Sequence, residues 1–183
     1  MRYTLEVERD DDPISPCDDD GLYGHILCFH KRYDLGHKHP DIKSSDFKGW
    51  GELETWLRKE RKAVIVLPVY MYDHSGITIS TSHEYPYNDQ WDAGQVGLIY
   101  LTKNDDGVPK NITKKVRERL EKTLVSSIKI YDTYLRGDIY RYTILDTNDQ
   151  PTDHGCCGFY SERDAAIAGA EDLMHLVKEK ACE

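Results

Sequence analysis

The chain has 183 residues, with 33 Asp and Glu against 24 Lys and Arg, and so carries a formal charge of −9. That length fits one domain of roughly 100–200 residues. The acidic balance excludes a general binder of phosphate backbones, whose affinity rests on Lys and Arg, and no apolar run approaches the ~20 residues of a membrane span. Broad disorder is excluded too, because 13 Tyr, 3 Trp and 3 Phe supply the aromatic area of a core.

The first residues are charged at once and hold no apolar export stretch, so a soluble protein in a cell interior is expected. Cys17, Cys28, Cys156, Cys157 and Cys182 are odd in number and match no disulfide or zinc spacing, so reduced thiols are expected.

Tyr3, Leu5 and Val7 alternate with polar residues, the period of a half-buried strand. Residues 10–21 hold six aspartates and two prolines and read as a loop. His25–His30 is a short apolar strand, and the polar stretch from Tyr33 to Lys48 a long loop. Trp50, Leu53, Trp56 and Leu57 fall at helical spacing, with Ser45 or Asp46 as the expected cap. Ala63–Tyr72 is β-branched and aromatic, and Pro68 predicts a bulge or an edge there. Asp73-His-Ser-Gly76 is a turn, and Ile77, Ile79 and Thr81 alternate along a return strand. Residues 83–94 form an aromatic loop, followed by a strand over Gln95–Thr102.

Ile112, Val116, Leu120, Leu124 and Ile128 mark one face of a helix over Ile112–Leu135, capped by Asn111 or Thr113. Ile139–Leu145 is a strand, Thr147–Gln150 a turn, and Gly155–Tyr160 a short Cys- and aromatic-rich segment. Ser161 opens a last helix, with Leu173, Leu176 and Val177 facing the core. Hairpins outnumber strand–helix–strand units, so the expectation is an α+β fold: one antiparallel sheet of five to six strands packed with three helices. It is a single domain over 1–183, with lobes 1–105 and 106–183.

Charge is unevenly spread. Residues 1–20 carry eight acids against Arg2 and Arg9, whereas residues 110–130 carry seven basic residues against Glu118 and Glu121. The acids Asp10, Asp11, Asp12, Asp18, Asp19 and Asp20 form a candidate partner surface, and Lys114, Lys115, Arg117, Arg119 and Lys122 a candidate nucleic-acid contact. Each also fits a plain solvated surface. Tyr85, Tyr87, Trp91 and Asp92 add an aromatic candidate contact loop, since Tyr and Trp concentrate at binding hot spots.

Asp73, His74 and Ser75 are catalytic residue types, but adjacency opposes a triad, which needs side chains converging from separate elements. A looser hydrolase or nucleotide-modifying site would gather His74, Asp73, Ser80, Ser82, Asp92 and Gln95; the plainer reading is a hydrogen-bonded turn. His25, Cys28, His30, His37 and His39 lack the paired spacing of a zinc site, so no metal is expected. Glycine-rich phosphate loops are absent, so no cofactor is expected.

Cys28–Gly36, Leu67–Ser82, Trp91–Tyr100, Tyr131–Tyr140 and Gly158–Tyr160, in that order, resemble a family of small proteins encoded by phages and prophages of Firmicutes. The resemblance covers nearly the whole chain. It departs at Ala93, where Ser is usual, at residues 83–90, where a Cys-Pro pair is often found, and at Asp18–Asp20, outside the shared motifs. Length, acidity and phage origin are similar to those of anti-CRISPR proteins. The resemblance therefore implies an accessory protein in the bacterial host cytoplasm. It would inhibit a host defence system by binding a host protein, a CRISPR nuclease with its guide RNA, and would meet nucleic acid only within that complex. The alternatives are the hydrolase above and a phage structural or assembly protein.

Overall fold

The computed structural model describes residues 2–19, 21–82 and 92–181. It is α+β, but seven described strands form two antiparallel sheets, not one sheet of five or six. The chain divides at 14/15 and 132/133 into a discontinuous unit, 1–14 with 133–183, and an inserted unit, 15–132. The boundary expected at 105/106 falls inside the inserted unit.

In the discontinuous unit, β1 (Thr4–Arg9) pairs along its length with β6 (Tyr140–Leu145), which pairs with β7 (Pro151–Phe159). The partner of β1 thus comes more than 130 residues later in the chain. Tyr3, Leu5 and Val7 pack on a core of Tyr142, Ile144 and Leu176, as their alternation predicts. The β6–β7 turn is held by Asp146, whose carboxylate accepts the N–H groups of Asn148 and Gln150 at 2.8 and 3.0 Å. Those two bonds lower its pKa. Helix α3 (Glu162–Ala181) opens with Ser161 Oγ accepting the Asp164 N–H at 3.1 Å. It rides on the sheet through Ala165, Ala168, Gly169 and Leu176. Val177, expected in the core, is exposed, as are Ile167 and Met174.

The inserted unit is built on a sheet in the order β2 (His25–Cys28), β5 (Ala93–Thr102), β3 (Ala63–Asp73), β4 (Ile77–Ser80). β4 pairs only with Tyr70–Asp73, so Pro68 lies beyond its end, and the β3–β5 register shifts at Val69/Tyr70. The missing N–H of proline is tolerated at such a place. Helix α1 (Trp50–Glu60) starts at Gly49; Ser44–Asp46 form a separate 3-10 turn rather than its cap. Leu53 and Leu57 of α1 pack with Leu27, Ala63, Leu98 and Tyr100 on one face of the sheet. By alternation Ile99 and Leu101 point to the other face, the side on which Leu124 of helix α2 (Lys114–Leu135) lies. Leu120, Leu124 and Ile128 are the buried stripe of α2, as their spacing predicts. Its one buried polar side chain is Ser127, whose Oγ accepts the Tyr23 N–H and donates to the Tyr23 carbonyl. Burial without that pairing would be costly.

Among the described residues, no helix is long and apolar enough to cross a membrane.

Candidate functional site

The C-terminal ends of β2 and β3 and the N-terminal ends of β4 and β5 meet at one end of the inserted unit's sheet, as the pairs Cys28–Gly97, Tyr72–Ala93 and Asp73–Ile77 establish. Three of the sequence segments singled out above, Cys28–Gly36, Leu67–Ser82 and Trp91–Tyr100, therefore converge there, as far as they are described. Glycine is required at 97: a Cβ would stand 2.4 Å from the Leu27 carbonyl and 2.6 Å from Cys28 Sγ. The Gln95 amide donates to the Gly97 carbonyl at 3.2 Å, so Gln95 supports the strand end.

Loop 29–49 folds against this end. Gly36, at φ +78°, donates its N–H to the Tyr131 hydroxyl at 2.8 Å. The neighbouring Asp132 carboxylate accepts from Thr78 Oγ1 and the Ile79 N–H at 2.6 and 2.8 Å. The Tyr131-Asp132 pair on α2 thus anchors both the loop and β4. Ile26 is held by two histidines: its N–H donates to His37 Nδ1 at 2.9 Å, and its carbonyl lies 3.2 Å from His39 Nε2. His25 pairs with Asp105 at 3.0 Å. Of the five residues weighed for a metal, His25, His37 and His39 are thus held in separate hydrogen bonds.

Between the loop and α1 is a cavity of about 420 Å³, within the size range of small-molecule sites. Its walls are Phe29, Phe47, Trp50, Tyr33 and His30. Phe29 and Trp50 stack at 6.2 Å and 19°, and His30 and Tyr33 at 5.1 Å and 8°. Lys31, Asp34 and Ser44 add polar groups, and Cys28 lies among the lining residues. Burial pushes the Cys28 thiol up to about 12, so it stays protonated and inert as a nucleophile at neutral pH.

Tyr33 links the cavity to the β3–β4 turn. Its hydroxyl donates to Asp73 at 3.1 and 3.2 Å, and Arg32 pairs with the same carboxylate at 3.2 Å. Asp73 therefore faces Tyr33 and Arg32, while His74 Nδ1 lies 3.3 Å from Asp92. His74 is 65% exposed on the turn. Ser80 Oγ accepts the Ser82 N–H at 3.0 Å. Of the residues grouped as a hydrolase site, the structure brings His74 beside Asp92, with Ser80 at the end of β4 and Ser82 beyond it.

The acidic candidates fall on both units. Asp10, Asp11 and Asp12 follow β1 in the discontinuous unit, where Arg141 pairs with Glu8 at 2.7 Å and reaches Asp11 at 3.8 Å. Asp18 and Asp19 open the inserted unit, Asp19 accepting the Gly21 N–H at 3.0 Å. Asp20, Tyr85, Tyr87 and Trp91 lie outside the described residues. Lys114, Lys115, Arg119 and Lys122 are exposed on α2, whereas Arg117 also donates to the Val64 carbonyl at 3.3 Å.

One arrangement escaped the sequence reading. His154 Nδ1 of β7 lies 3.0 Å from Asp172 Oδ1 of α3, and the Tyr142 hydroxyl donates to Asp172 Oδ2 at 3.1 Å. The signal was a carboxylate at the helical spacing of Ala165, Ala168 and Leu176, where a core face demands a partner. The aromatic cavity was also missed as a unit, although seven aromatic and imidazole side chains fall within residues 29–50.

No family model matches the chain, and neither the curated proteins nor the solved structures contain a significant match.

Proposed function

We propose that this protein works by binding a partner, without chemistry of its own, and that the aromatic cavity beside loop 29–49 is its recognition site. The cavity carries the reading: five aromatic or imidazole walls around about 420 Å³ offer stacking area with a few polar groups at the side. The chemistry-bearing residues support it. His74 is paired with Asp92 and largely in solvent, and Cys28 is held protonated by burial. The resemblance to phage-encoded proteins directs the proposal to a host defence target in the bacterial cytoplasm, an RNA-guided nuclease. Such enzymes hold nucleic acid in positively charged channels, and Asp10–Asp12 and Asp18–Asp19 offer carboxylates that compete for such a channel. The test is target cleavage by several RNA-guided nucleases with a titration of this protein, run at two salt concentrations. Inhibition that weakens with salt and with Asp10, Asp11 and Asp12 changed together to Asn is the expected result. Unchanged cleavage by every nuclease at large excess overturns the nuclease as target.

A further inference from the structure

We infer that the cavity beside loop 29–49 takes a nucleotide unit, a planar heteroaromatic ring carrying a phosphate; this rests on the reading of that cavity as a recognition site. Stacking walls alone would suit any flat ring, because every base or indole has a π-face. The charge around the walls selects among them. The chain as a whole is strongly acidic, yet residues 29–49 hold five lysines and arginines against three aspartates. Lys31 lines the cavity itself. Arg32 lies 5.2 Å from the Tyr33 ring at the rim, with part of its charge taken by Asp73.

The first residues of α1 add to this field. Gly49 and Trp50 line the cavity, and Gly49 has no side chain with which to cap the helix N–H groups. The positive end of an eleven-residue helix therefore stands in the cavity wall. Glu52 in its first turn spends one carboxylate oxygen on the Lys48 N–H at 2.7 Å.

An aromatic cage can also hold a cationic ligand, but Lys31 and the helix end oppose a cation here. An uncharged aromatic side chain of a protein would gain nothing from them. A nucleotide uses both halves of the site: its ring adds to the Phe29–Trp50 stack, and its phosphate turns toward Lys31. Asp34 and Ser44 then serve as acceptors for ring or exocyclic N–H groups rather than as neighbours of the phosphate, in the way carboxylates accept from base amino groups. The same unit is present in free nucleotides and in single-stranded nucleic acid.

The test is titration of the full chain with three probes at low salt: mononucleotides, the matching nucleosides, and a ten-residue single-stranded oligonucleotide. Binding is followed by calorimetry. A mononucleotide is expected to bind about ten-fold or more tightly than its nucleoside. Lys31→Gln, on an exposed side chain, should bring the nucleotide down to the nucleoside level and leave the nucleoside unchanged. Trp50→Ala should weaken both by roughly ten-fold, the usual scale of one stacking contact; Trp50→Phe, which keeps a ring, should recover most of it. Equal binding of mononucleotide and oligonucleotide per site supports a free nucleotide as ligand, and binding of the oligonucleotide alone supports a single strand. Nucleoside and nucleotide binding equally, both sensitive to Trp50→Ala, overturns the nucleotide while the cavity stands as a recognition site. No binding of any aromatic probe overturns the nucleotide, and nuclease inhibition that persists undiminished in Trp50→Ala overturns the cavity as the recognition site.

Discussion

Two histidine–aspartate pairs, His74–Asp92 and His154–Asp172, are each separated by eighteen residues and each belong to a different unit of the chain. Their surroundings are opposite. His154 is 31% exposed, and its aspartate also accepts from the hydroxyl of Tyr142, in the core of its unit. His74 stands 65% exposed on a turn, and its ring has Tyr72 for a neighbour at 5.9 Å. The first pair fastens α3 to its sheet. The second sits on a turn mostly in solvent, with no described helix over it to fasten. The same residue types at the same spacing thus become a clamp in one unit and a surface group in the other, decided by what lies over them.

That contrast can be broken from the helix side. A Cβ at Gly169 would meet Leu5 Cδ1 at 2.5 Å and the Tyr142 ring at 2.9 Å, so α3 sits too close to its sheet for any side chain there. Gly169→Leu should cost about 3 kcal/mol by overpacking. Hydrogen exchange should show α3 and β6 losing protection while β3 keeps its own; full protection in α3 would refute the close seat. Asp172→Ala should cost about 1–3 kcal/mol, since it leaves a buried hydroxyl and a half-buried imidazole without their acceptor. Burial, reinforced by the bond to Asp172, pushes the Tyr142 phenol up to about 12. Its titration, followed by ultraviolet absorbance, should therefore move down in the variant. A denaturation midpoint equal to that of the parent would remove the clamp.

A third histidine sharpens the point through pH. Burial lowers the pKa of His39 below its usual 6.5, helped by His25 and Arg61 and opposed by the Ile26 carbonyl and Asp41. The unfolded chain then takes a proton at a higher pH than the folded one. The contribution of His39 is complete above about pH 6.5 and is lost as pH falls from there toward the folded value. Urea midpoints at pH 7.5 and 5.5 should fall by less in His39→Gln than in the parent; equal falls would assign the slope elsewhere. The smallest effect is expected at the exposed pair. His74→Ala should change stability by no more than about 0.5 kcal/mol, and a larger loss would make it a second clamp.

The local elements were legible because they follow from periodicity. Tyr3, Leu5 and Val7 announce a strand, and Leu120, Leu124 and Ile128 a helix face. The split into two sheets was not, because nothing near β1 signals that its partner is Tyr140–Leu145; register over that span is set by packing. At the candidate site, the turn at Asp73–Gly76 was readable from its residue types, but the choice between Asp73 and Asp92 as the neighbour of His74 was not, because it depends on how the strand ends meet. The cavity was hidden by its own composition. Phe29 reads as a strand residue, Trp50 as a helix residue and the stretch between them as polar loop, and only the fold puts their rings 6.2 Å apart. Val177 was misplaced because α3 is more apolar than one buried face requires.

The hold of His37 and His39 on Ile26 reaches beyond the cavity. β2 ends its sheet, with β5 on one side only, and loop 36–39 occupies the other side, adding a return bond from the His37 N–H to the Ile26 carbonyl and a bridge between Leu27 and Gly36. An imidazolium has no acceptor nitrogen, so the bond from the Ile26 N–H lasts only while His37 is neutral. Acid that protonates His37 breaks that bond, whereas His39 donates to the Ile26 carbonyl whether or not its ring is charged. The loosening of this strand edge, the kind of edge on which chains add to one another, therefore turns on one ring. In a protein this acidic, one imidazole in loop 36–39 then governs that edge separately from the change in net charge.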